Sequence, residues 1–378
     1  MDRLFKWLVM ALAGIGVLTA FRGRPPGASV GGSGEAGARL HTPDGDVNRE
    51  MRSDATAPAD DGPDSAGPRG HHSTSPTDIP KPGWKAILLR VKEEIKRDKV
   101  PVLAAAVAFA ALLSLFPLMI AGISIYGLVA DPETVARQAQ TIQDILPSDA
   151  ASLITGQLQD LAAADNGALG VAAILSILVA LWSASGGMSM LINALNVAYD
   201  EDNERGFVKN KALALLMTFG AIVFLLVVAG LLTLPADILG DLGTIGVLFV
   251  NIIRWVLLAA LLAVALAVVY RVAPDRDDAR WQWITPGAAV AVVLWLVASA
   301  AFSFFVDRFG SYNQTYGSLA GVVVLMLWLQ LSTMIVLIGA EINAETERQT
   351  ATDTTTGPPQ PLGQRGANPA DTPPPDRP

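Results

Sequence analysis

The stretch that decides the fold runs from Phe309 to Glu345 and reads FGSYNQTYGSLAGVVVLMLWLQLSTMIVLIGAEINAE. Its middle part, residues 318–340, contains no charged side chain. A helix that rises ~1.5 Å per residue reaches about 35 Å over this part, which exceeds the ~30 Å hydrocarbon core of a bilayer. Because a backbone inside lipid must satisfy its own hydrogen bonds, the stretch is predicted to be a membrane-spanning helix.

The composition extends this prediction to the rest of the chain. Of its 378 residues 51% are apolar and only 16% are charged, and the mean hydropathy is +0.41. Six uncharged or nearly uncharged runs are long enough to span a membrane. They are 102–129, 169–191, 212–234, 248–270, 281–305 and 318–340. The predicted fold is all-α, a polytopic integral membrane helical bundle with six core transmembrane helices.

Four further segments surround this core. The apolar run 7–21 is short for a span, so three readings stay open: a hydrophobic anchor, an interfacial helix or a cleaved signal. Residues 22–80 and the Pro-rich tail 350–378 are predicted to be disordered, because they contain too few aliphatic side chains to form a core. The membrane domain, 81–349, is predicted to include a juxtamembrane amphipathic helix at 84–100 and an outer helical loop at 131–166.

Basic side chains lie mainly on one side of the predicted bundle. Thirteen lysines and arginines fall in residues 81–99, just before the first span, and in the second-to-third and fourth-to-fifth loops. The positive-inside rule therefore predicts a multi-pass membrane protein with both ends of the core in the cytoplasm. The expected partners are the lipid bilayer and either a second copy of the chain or an envelope protein. The net charge of -8, without a basic stripe, argues against nucleic acid.

The second predicted span carries a stripe of polar and small residues. At 100° per residue, its polar side chains and one tryptophan fall within an arc of about 80°. The members are Trp182, Ser185, Gly186, Ser189, Asn193 and Asn196. Such a stripe either forms hydrogen bonds to other helices or lines one wall of a polar cavity. In the first span, Ser114 and Pro117 are candidates for the same site, and Pro117 is predicted to break the helix.

The sixth span adds a second set of candidates. Gln330 and Glu341 share one helix face, and Asn343 follows them. Glu341 is either a solvated helix end or a carboxylate that faces the bundle, where it carries a proton or pairs with Arg271. The polar turn before this span contains Gly310, Tyr312, Asn313, Tyr316 and Gly317. This turn either folds back into the protein or remains a tight turn in the aromatic belt.

The residues needed for common enzyme chemistry are scarce. There is no cysteine, and the three histidines all precede residue 81. The core shows neither a close-spaced Asp/Glu cluster inside a span nor a phosphate-binding Gly-x-x-x-x-Gly-Lys motif. We therefore predict a protein that is not an enzyme, with no cofactor and no metal site.

Four separate pieces of the chain resemble the YihY/BrkB family of bacterial inner-membrane proteins. They are residues 110–117, LWSASGGMSMLINALNVAY at 181–199, YRVAPD at 270–275, and the stretch 309–345. The resemblance covers about 84–346 and implies a six-helix membrane protein whose members carry labels of serum resistance and of ribonuclease activity. The signature positions that it implies are Ser114, Phe116, Pro117, Trp182, Gly186, Asn193, Asn196, Tyr270, Pro274, Gly310, Tyr312, Asn313, Tyr316, Gly317, Gly339, Glu341 and Asn343. A tyrosine common in the family is Ala110 here.

Two functions fit these features. The first is transport of a small ion or of an amphiphile such as a lipid, suggested by the polar stripe, Pro117 and the turn at 309–317. The second is an envelope scaffold whose polar groups only hold helices together.

Overall fold

The computed structural model describes residues 69–129, 168–233, 243–309 and 318–372. The N-terminal apolar run at 7–21 and the predicted outer loop at 131–166 lie outside these residues, as does the turn at 310–317. In chain order, the described α-helices are α1 Lys81–Arg97, α2 Val100–Val129, α3 Ala168–Ala198, α4 Phe207–Thr233, α5 Gly243–Val272, α6 Trp281–Phe309, α7 Ser318–Arg348 and α8 Asn368–Asp371. A 3-10 helix, Pro76–Asp78, precedes them.

The helices have the length and composition of membrane spans. Five qualify on their own, at Ile177–Ala198, Phe207–Leu232, Phe249–Val272, Trp281–Val306 and Gly321–Arg348. A sixth is counted if α1 and the first half of α2 form one bent span. In the described ranges the only β pairing is an isolated bridge between Ala279 and Thr355. The predicted all-α membrane bundle is confirmed.

The first span departs from its prediction. The chain turns by 61° between α1 and α2, at Asp98 and Lys99, where Lys99 has a φ of 52°. The predicted break at Pro117 was wrong, because α2 remains helical through this residue. A membrane helix can continue through proline when neighbouring groups satisfy the freed carbonyl. The bend instead falls where a charged turn leaves the apolar run.

Close contact between α6 and α7 depends on two glycines. A Cβ atom added to Gly287 would overlap the carbonyl oxygen of Gly339 and would lie 2.5 Å from Asn343 Oδ1. A Cβ atom on Gly339 would lie 2.9 Å from the carbonyl oxygen of Gly287. Small residues let membrane helices approach until their backbones touch, and dispersion contacts then accumulate along the seam. Beside this seam, Tyr270 Oη donates a 2.8 Å hydrogen bond to the carbonyl of Val336.

One end of the bundle carries most of the described ion pairs, and we call it the charged end. It comprises residues 97–100, 198–207, 270–281 and 340–372. Arg205 binds Asp275 at 2.9 Å and donates to the carbonyls of Ala273 and Pro274, so the loop after α3 is joined to the loop after α5. Asp200, like Lys99, has a positive φ of 52°.

The tail was predicted to be disordered over 350–378, and its described part, 350–372, contradicts that prediction. Arg365 is buried, and its guanidinium donates to the carbonyls of Ala351, Thr352, Gln360 and Ala370. Asp353 accepts hydrogen bonds from the backbone of Thr355 and Gln360, and these bonds lower its pKa against the opposing effect of burial. Polar bonds rather than apolar burial order this segment, and a compositional rule does not detect them.

The predicted linker, 22–80, likewise ends earlier than expected. Residues 69–80 pack on the charged end through their backbone carbonyls. The side chains of Gln349 and Thr350 donate to the carbonyls of Arg69 and Ser73. The backbone amide of Ala351 donates to the carbonyl of His71. These bonds come from the end of α7 and from the tail. Both predictions of disorder therefore failed in the described residues, because the two segments bond to one another and to the end of α7.

Candidate functional site

The serines of the predicted stripe on α3 bond to their own helix. Ser185 Oγ donates to the carbonyl of Trp182 at 2.6 Å, and Ser189 Oγ donates to the carbonyl of Ser185 at 2.9 Å. This back-bonding satisfies both hydroxyl protons without a second helix. Neither serine therefore needs a hydrogen-bond acceptor on another helix.

Only part of the stripe faces outward from the chain, because Ser185 is fully buried. Trp182 is 52% exposed, Gly186 and Asn193 are exposed, and Ser189 is half-buried. Lys211 of α4 approaches this face: its Nζ atom donates to the carbonyl of Trp182 at 3.1 Å and lies 4.4 Å from the centre of the indole ring. The stripe thus forms an exposed polar surface with one cationic side chain.

Ser114 connects α2 to this part of α3. Its Oγ atom accepts a 2.9 Å hydrogen bond from the backbone amide of Gly187. A Cβ atom on Gly187 would lie 3.1 Å from Ala111 Cα and 3.1 Å from Ser114 Oγ, so glycine sets the separation of the helices. Pro117 follows one turn later on α2, which remains helical there.

The two asparagines near the end of α3 serve the charged end. Asn196 is buried, and its Oδ1 atom accepts from the backbone amide of Asp275 at 2.7 Å. Asn193 Oδ1 accepts from Asn203 Nδ2 at 3.3 Å. Asn196, grouped with the membrane stripe by periodicity, therefore positions the loop that contains the YRVAPD motif.

Asn343 joins α7 to α6 and to the residue that follows α3. Its Oδ1 atom accepts from the backbone amide of Gly287 at 2.7 Å, and its Nδ2 atom donates to Tyr199 Oη at 3.3 Å. Asn343 and Tyr199 are both fully buried. Burial, followed by the negative charge of Glu347, raises the pKa of Tyr199 well above its ordinary value, so the hydroxyl stays protonated.

Glu341 faces the bundle, so of the two alternatives that the sequence left open, the solvated helix end was wrong. Its residue surface is only 1% exposed. The suggested pairing with Arg271 was also wrong, because Arg271 binds Asp278 at 3.2 Å and stacks 4.7 Å from the ring of Trp281. The neighbour of the Glu341 side chain is Asp98, in the turn between α1 and α2. Gln330, which shares its helix face, is half-buried.

Arg276 and Glu347 form a fully buried ion pair that the sequence did not suggest. Arg276 Nη1 and Nη2 donate to the two carboxylate oxygens of Glu347, at 3.1 and 2.6 Å. The side chains of Arg276 and Glu347 are 2% and 0% exposed. Thr354 Oγ1 of the tail donates to the same carboxylate at 2.9 Å, and Arg276 lies 5.3 Å from the ring centre of Tyr199. The sequence signal for this ion pair was an arginine just after the YRVAPD motif together with an acid on the last turn of α7.

An open cleft of about 920 Å³ lies at the charged end. Acidic side chains dominate its lining and include Asp200, Glu201, Asp202, Glu204, Asp275 and Asp277. Glu201 Oε1 accepts a 2.7 Å hydrogen bond from the backbone amide of Asn368 at the start of α8. Burial raises the pKa of Glu201 to about 7, and that bond only partly offsets the shift.

This raised pKa predicts that stability depends on pH. Between the ordinary pKa of 4.5 and about 7, the folded protein holds a proton on Glu201 that the unfolded chain has released. The stabilisation is complete below about 4.5 and is lost as the pH rises through about 7. We expect the thermal unfolding midpoint in detergent to fall over this window. The loss is at most about 1 kcal/mol, because water screens a half-exposed carboxylate.

The matched variants for this test are Glu201→Gln and Asp202→Asn. Glu201→Gln is expected to remove most of the pH dependence, whereas Asp202→Asn, in an exposed position next to it, is expected to retain it. Equal pH dependence in Glu201→Gln and wild type would contradict the prediction.

The candidates of the turn, Gly310, Tyr312, Asn313, Tyr316 and Gly317, lie outside the described residues. Those that the structure does describe do not form a single site. Ser114 and Pro117 lie on α2, and Trp182, Ser185, Gly186, Ser189 and Asn193 lie on α3. Glu341 and Asn343 belong to the charged end, Asn196 bonds to it from α3, and Gln330 lies on α7. Asp98, Gly287, Arg276 and Glu347 were missed by sequence reasoning.

Comparison with known proteins now identifies the family. The family model described as Virulence factor BrkB matches residues 91–362, which include the motifs on α2, α3, α5 and α7 and most of the ordered tail. The chain belongs to the BrkB family. The resemblance seen in the four motifs is thereby confirmed, and the family match continues beyond residue 349 into the segment that packs on the charged end.

Relatives of this BrkB-family chain include proteins from several bacteria. It is 33% identical over 248 residues to a Bacillus subtilis (strain 168) protein named ribonuclease-like protein YfkH, which covers 64% of this chain and 88% of that protein. It is 26% identical over 253 residues to UPF0761 membrane protein VV0203 of Vibrio vulnificus (strain YJ016). This match covers 66% of this chain and 79% of that protein. A UPF0761 membrane protein of Tolumonas auensis is 43% identical over 75 residues, 20% of this chain and 24% of that protein. No solved structure shows significant similarity to it.

Proposed function

We propose that this BrkB-family protein moves an amphiphile, such as a lipid, or a small ion across the bacterial cytoplasmic membrane without hydrolysing ATP. The observation that carries the proposal is the exposed polar stripe on α3. Polar groups inside hydrocarbon are costly unless protein, water or a polar ligand covers them. Here Gly186, Ser189 and Asn193 form such a surface on the outside of the chain, beside the cation of Lys211.

The exposure of the stripe favours an amphiphile over an ion. An ion pathway needs walls on all sides, whereas a lipid can keep its acyl chains in the bilayer while its headgroup follows a polar surface. Ser189 and Asn193 offer oxygens to the headgroup, and Lys211 offers a positive charge to its phosphate.

The orientation is part of the proposal. Residues 81–99, 205–211 and 271–280 contain thirteen lysines and arginines. We therefore place the charged end, with its acidic cleft and ordered tail, in the cytoplasm.

Nuclease activity is not proposed, because the core residues 81–349 contain neither histidine nor cysteine.

Ser189→Ala combined with Asn193→Ala is expected to abolish flux while leaving the amount of folded protein unchanged. Both substitutions remove polar atoms from the exposed face, and neither side chain is fully buried. The measurement follows fluorescent-lipid flipping and cation flux together, in liposomes that contain purified protein. The matched control is Ser299→Ala on α6, whose hydroxyl is also half-buried and also bonds to its own helix, at 2.6 Å.

A scaffold function is the second candidate, and the same stripe supports it. Exposed glycine and serine on a membrane helix also suit the docking of another helix, from a second copy or from an envelope protein. In that case wild-type protein moves neither lipid nor cation, and the double variant lowers oligomerisation or abundance instead. Flux in wild type that the double variant retains would exclude the stripe as the pathway.

A further inference from the structure

Glu341 and Asp98 form a buried acid pair at the charged end. The two side chains lie within hydrogen-bonding reach of one another. Glu341 is only 1% exposed, and its Oε1 atom accepts no hydrogen bond; the same holds for Asp98 Oδ2. A buried carboxylate ordinarily accepts several hydrogen bonds or an ion pair, because ionisation without them is very unfavourable. Two carboxylates in contact therefore require an explanation.

The surrounding charges make the ionised pair still less favourable. Besides Asp98, three carboxylates repel a negative charge on Glu341. They are Glu94, Asp200 and Glu345. Each of the three has an arginine partner, since Arg97 binds Glu94 and Asp200, Arg348 binds Asp200 and Glu345, and Arg90 binds Glu345. Five carboxylates thus face three guanidinium groups. Arg97 also reaches Asp98 at 3.4 Å, whereas none of the described ion pairs involves Glu341.

The backbone holds the groups in this arrangement at some cost. Lys99, next to Asp98, and Asp200, at the end of α3, both adopt a left-handed conformation with φ of 52°. Each such conformation costs on the order of 1 kcal/mol for a residue other than glycine. These are the only non-glycine residues with positive φ in the described ranges, and both bring carboxylates towards α7.

A proton fits this arrangement better than a metal ion. The described residues contain no group of three or more histidine, aspartate or glutamate side chains placed to hold a metal ion. One proton placed between two carboxyl groups removes one negative charge and turns the contact of two acceptors into an O–H···O hydrogen bond.

We propose that Asp98 and Glu341 share one proton and form a proton-binding site that exchanges with water at the charged end. Release of the proton leaves two negative charges in contact and forces α7 away from the turn between α1 and α2. Rebinding closes that gap. Proton binding itself is independent of the proposed transport, but the use of the proton to drive movement of an amphiphile rests on it.

The test records infrared difference spectra while the pH of purified protein in liposomes is varied. A Glu201→Gln background is used, because Glu201 also titrates near neutral pH. We expect the band of a protonated carboxyl group at neutral pH, which disappears on alkaline titration and is absent in Glu341→Gln. In Asp98→Asn the band is expected to remain but to titrate at lower pH, because the nearest like charge has been removed. Asp278→Asn, an exposed carboxylate, serves as the control.

The outcomes separate this inference from the proposed function. A wild-type spectrum without a protonated carboxyl band, or a band that persists in Glu341→Gln, would overturn the proton site even in a protein that flips lipids. A band that depends on Glu341 in a protein that moves neither lipid nor ion would support the site and remove its role in transport. If the band depends on Glu341 and the protein also flips lipids, a pH gradient is expected to change the wild-type flipping rate. Glu341→Gln is then expected to lose that response. If Glu341→Gln fails to fold, the titration shift in Asp98→Asn decides.

Discussion

Replacing Arg276 with alanine is expected to lower the free energy of unfolding by about 3–5 kcal/mol, because Glu347 would remain as a buried carboxylate without its cation. Glu347 is 0% exposed, and among the described residues Thr354 would remain as a hydrogen-bond donor to its carboxylate. The loss also removes the cation–π contact with Tyr199. Chemical or thermal unfolding of purified protein in detergent measures the change.

A surface pair provides the control for this prediction. Asp278, which is 55% exposed, pairs with Arg271 at 3.2 Å. Asp278→Ala is expected to change stability by at most about 1 kcal/mol. The double variant Arg276→Met/Glu347→Leu is expected to recover part of the loss, since apolar side chains leave no buried charge. Equal losses in Arg276→Ala and Asp278→Ala would show that burial does not determine the strength of the pair.

Gly287→Ala is the second substitution with a large expected effect. The added methyl group would overlap the carbonyl oxygen of Gly339, so α6 and α7 must separate and the Asn343–Gly287 hydrogen bond must lengthen or break. Overpacking of this kind typically costs about 1–3 kcal/mol. We expect a lower unfolding midpoint and less folded protein after extraction from the membrane.

Gly220→Ala, in the helical interior of α4, is the matched control for Gly287→Ala. A Cβ atom there would meet nothing within 4 Å. Alanine favours helix over glycine by about 0.5–1 kcal/mol, so this variant is expected to be as stable as wild type or slightly more stable. A loss of stability in both variants would mean that helix contact at Gly287 is not the cause.

Both predictions concern contacts that hold the charged end to the membrane helices. Arg276 and Glu347 join the loop after α5 to the end of α7, and Asn343 joins α7 to α6 and to Tyr199. Through Thr354 and Gln349, the tail and the segment before α1 bind the same helix end. A change at the acid pair of Asp98 and Glu341 therefore acts on a helix whose last turns are bonded on several sides.

Periodicity located polar residues correctly but assigned their partners poorly. It placed Ser185, Ser189 and Asn196 on one face of α3, yet Ser185 and Ser189 bond within their own helix and Asn196 bonds to a loop. On α7 the spacing of Glu341, Glu345 and Arg348 already puts the three on one face, a signal of the charged cluster that sequence reasoning did not use. The carboxylate of Asp98 could not be associated with them, because it belongs to a turn between helices.

The sequence by itself determined that this protein is an all-α membrane bundle of the BrkB family. Span length and hydropathy depend only on local composition, and the family motifs are local strings of residues. The tertiary structure alone decided which polar groups meet: Asp98 with Glu341, Arg276 with Glu347, and the tail with the residues before α1. The physical reason is that a buried charge or backbone group needs one specific partner at hydrogen-bond distance. Helix packing, rather than any local pattern, brings together partners that lie far apart in the chain.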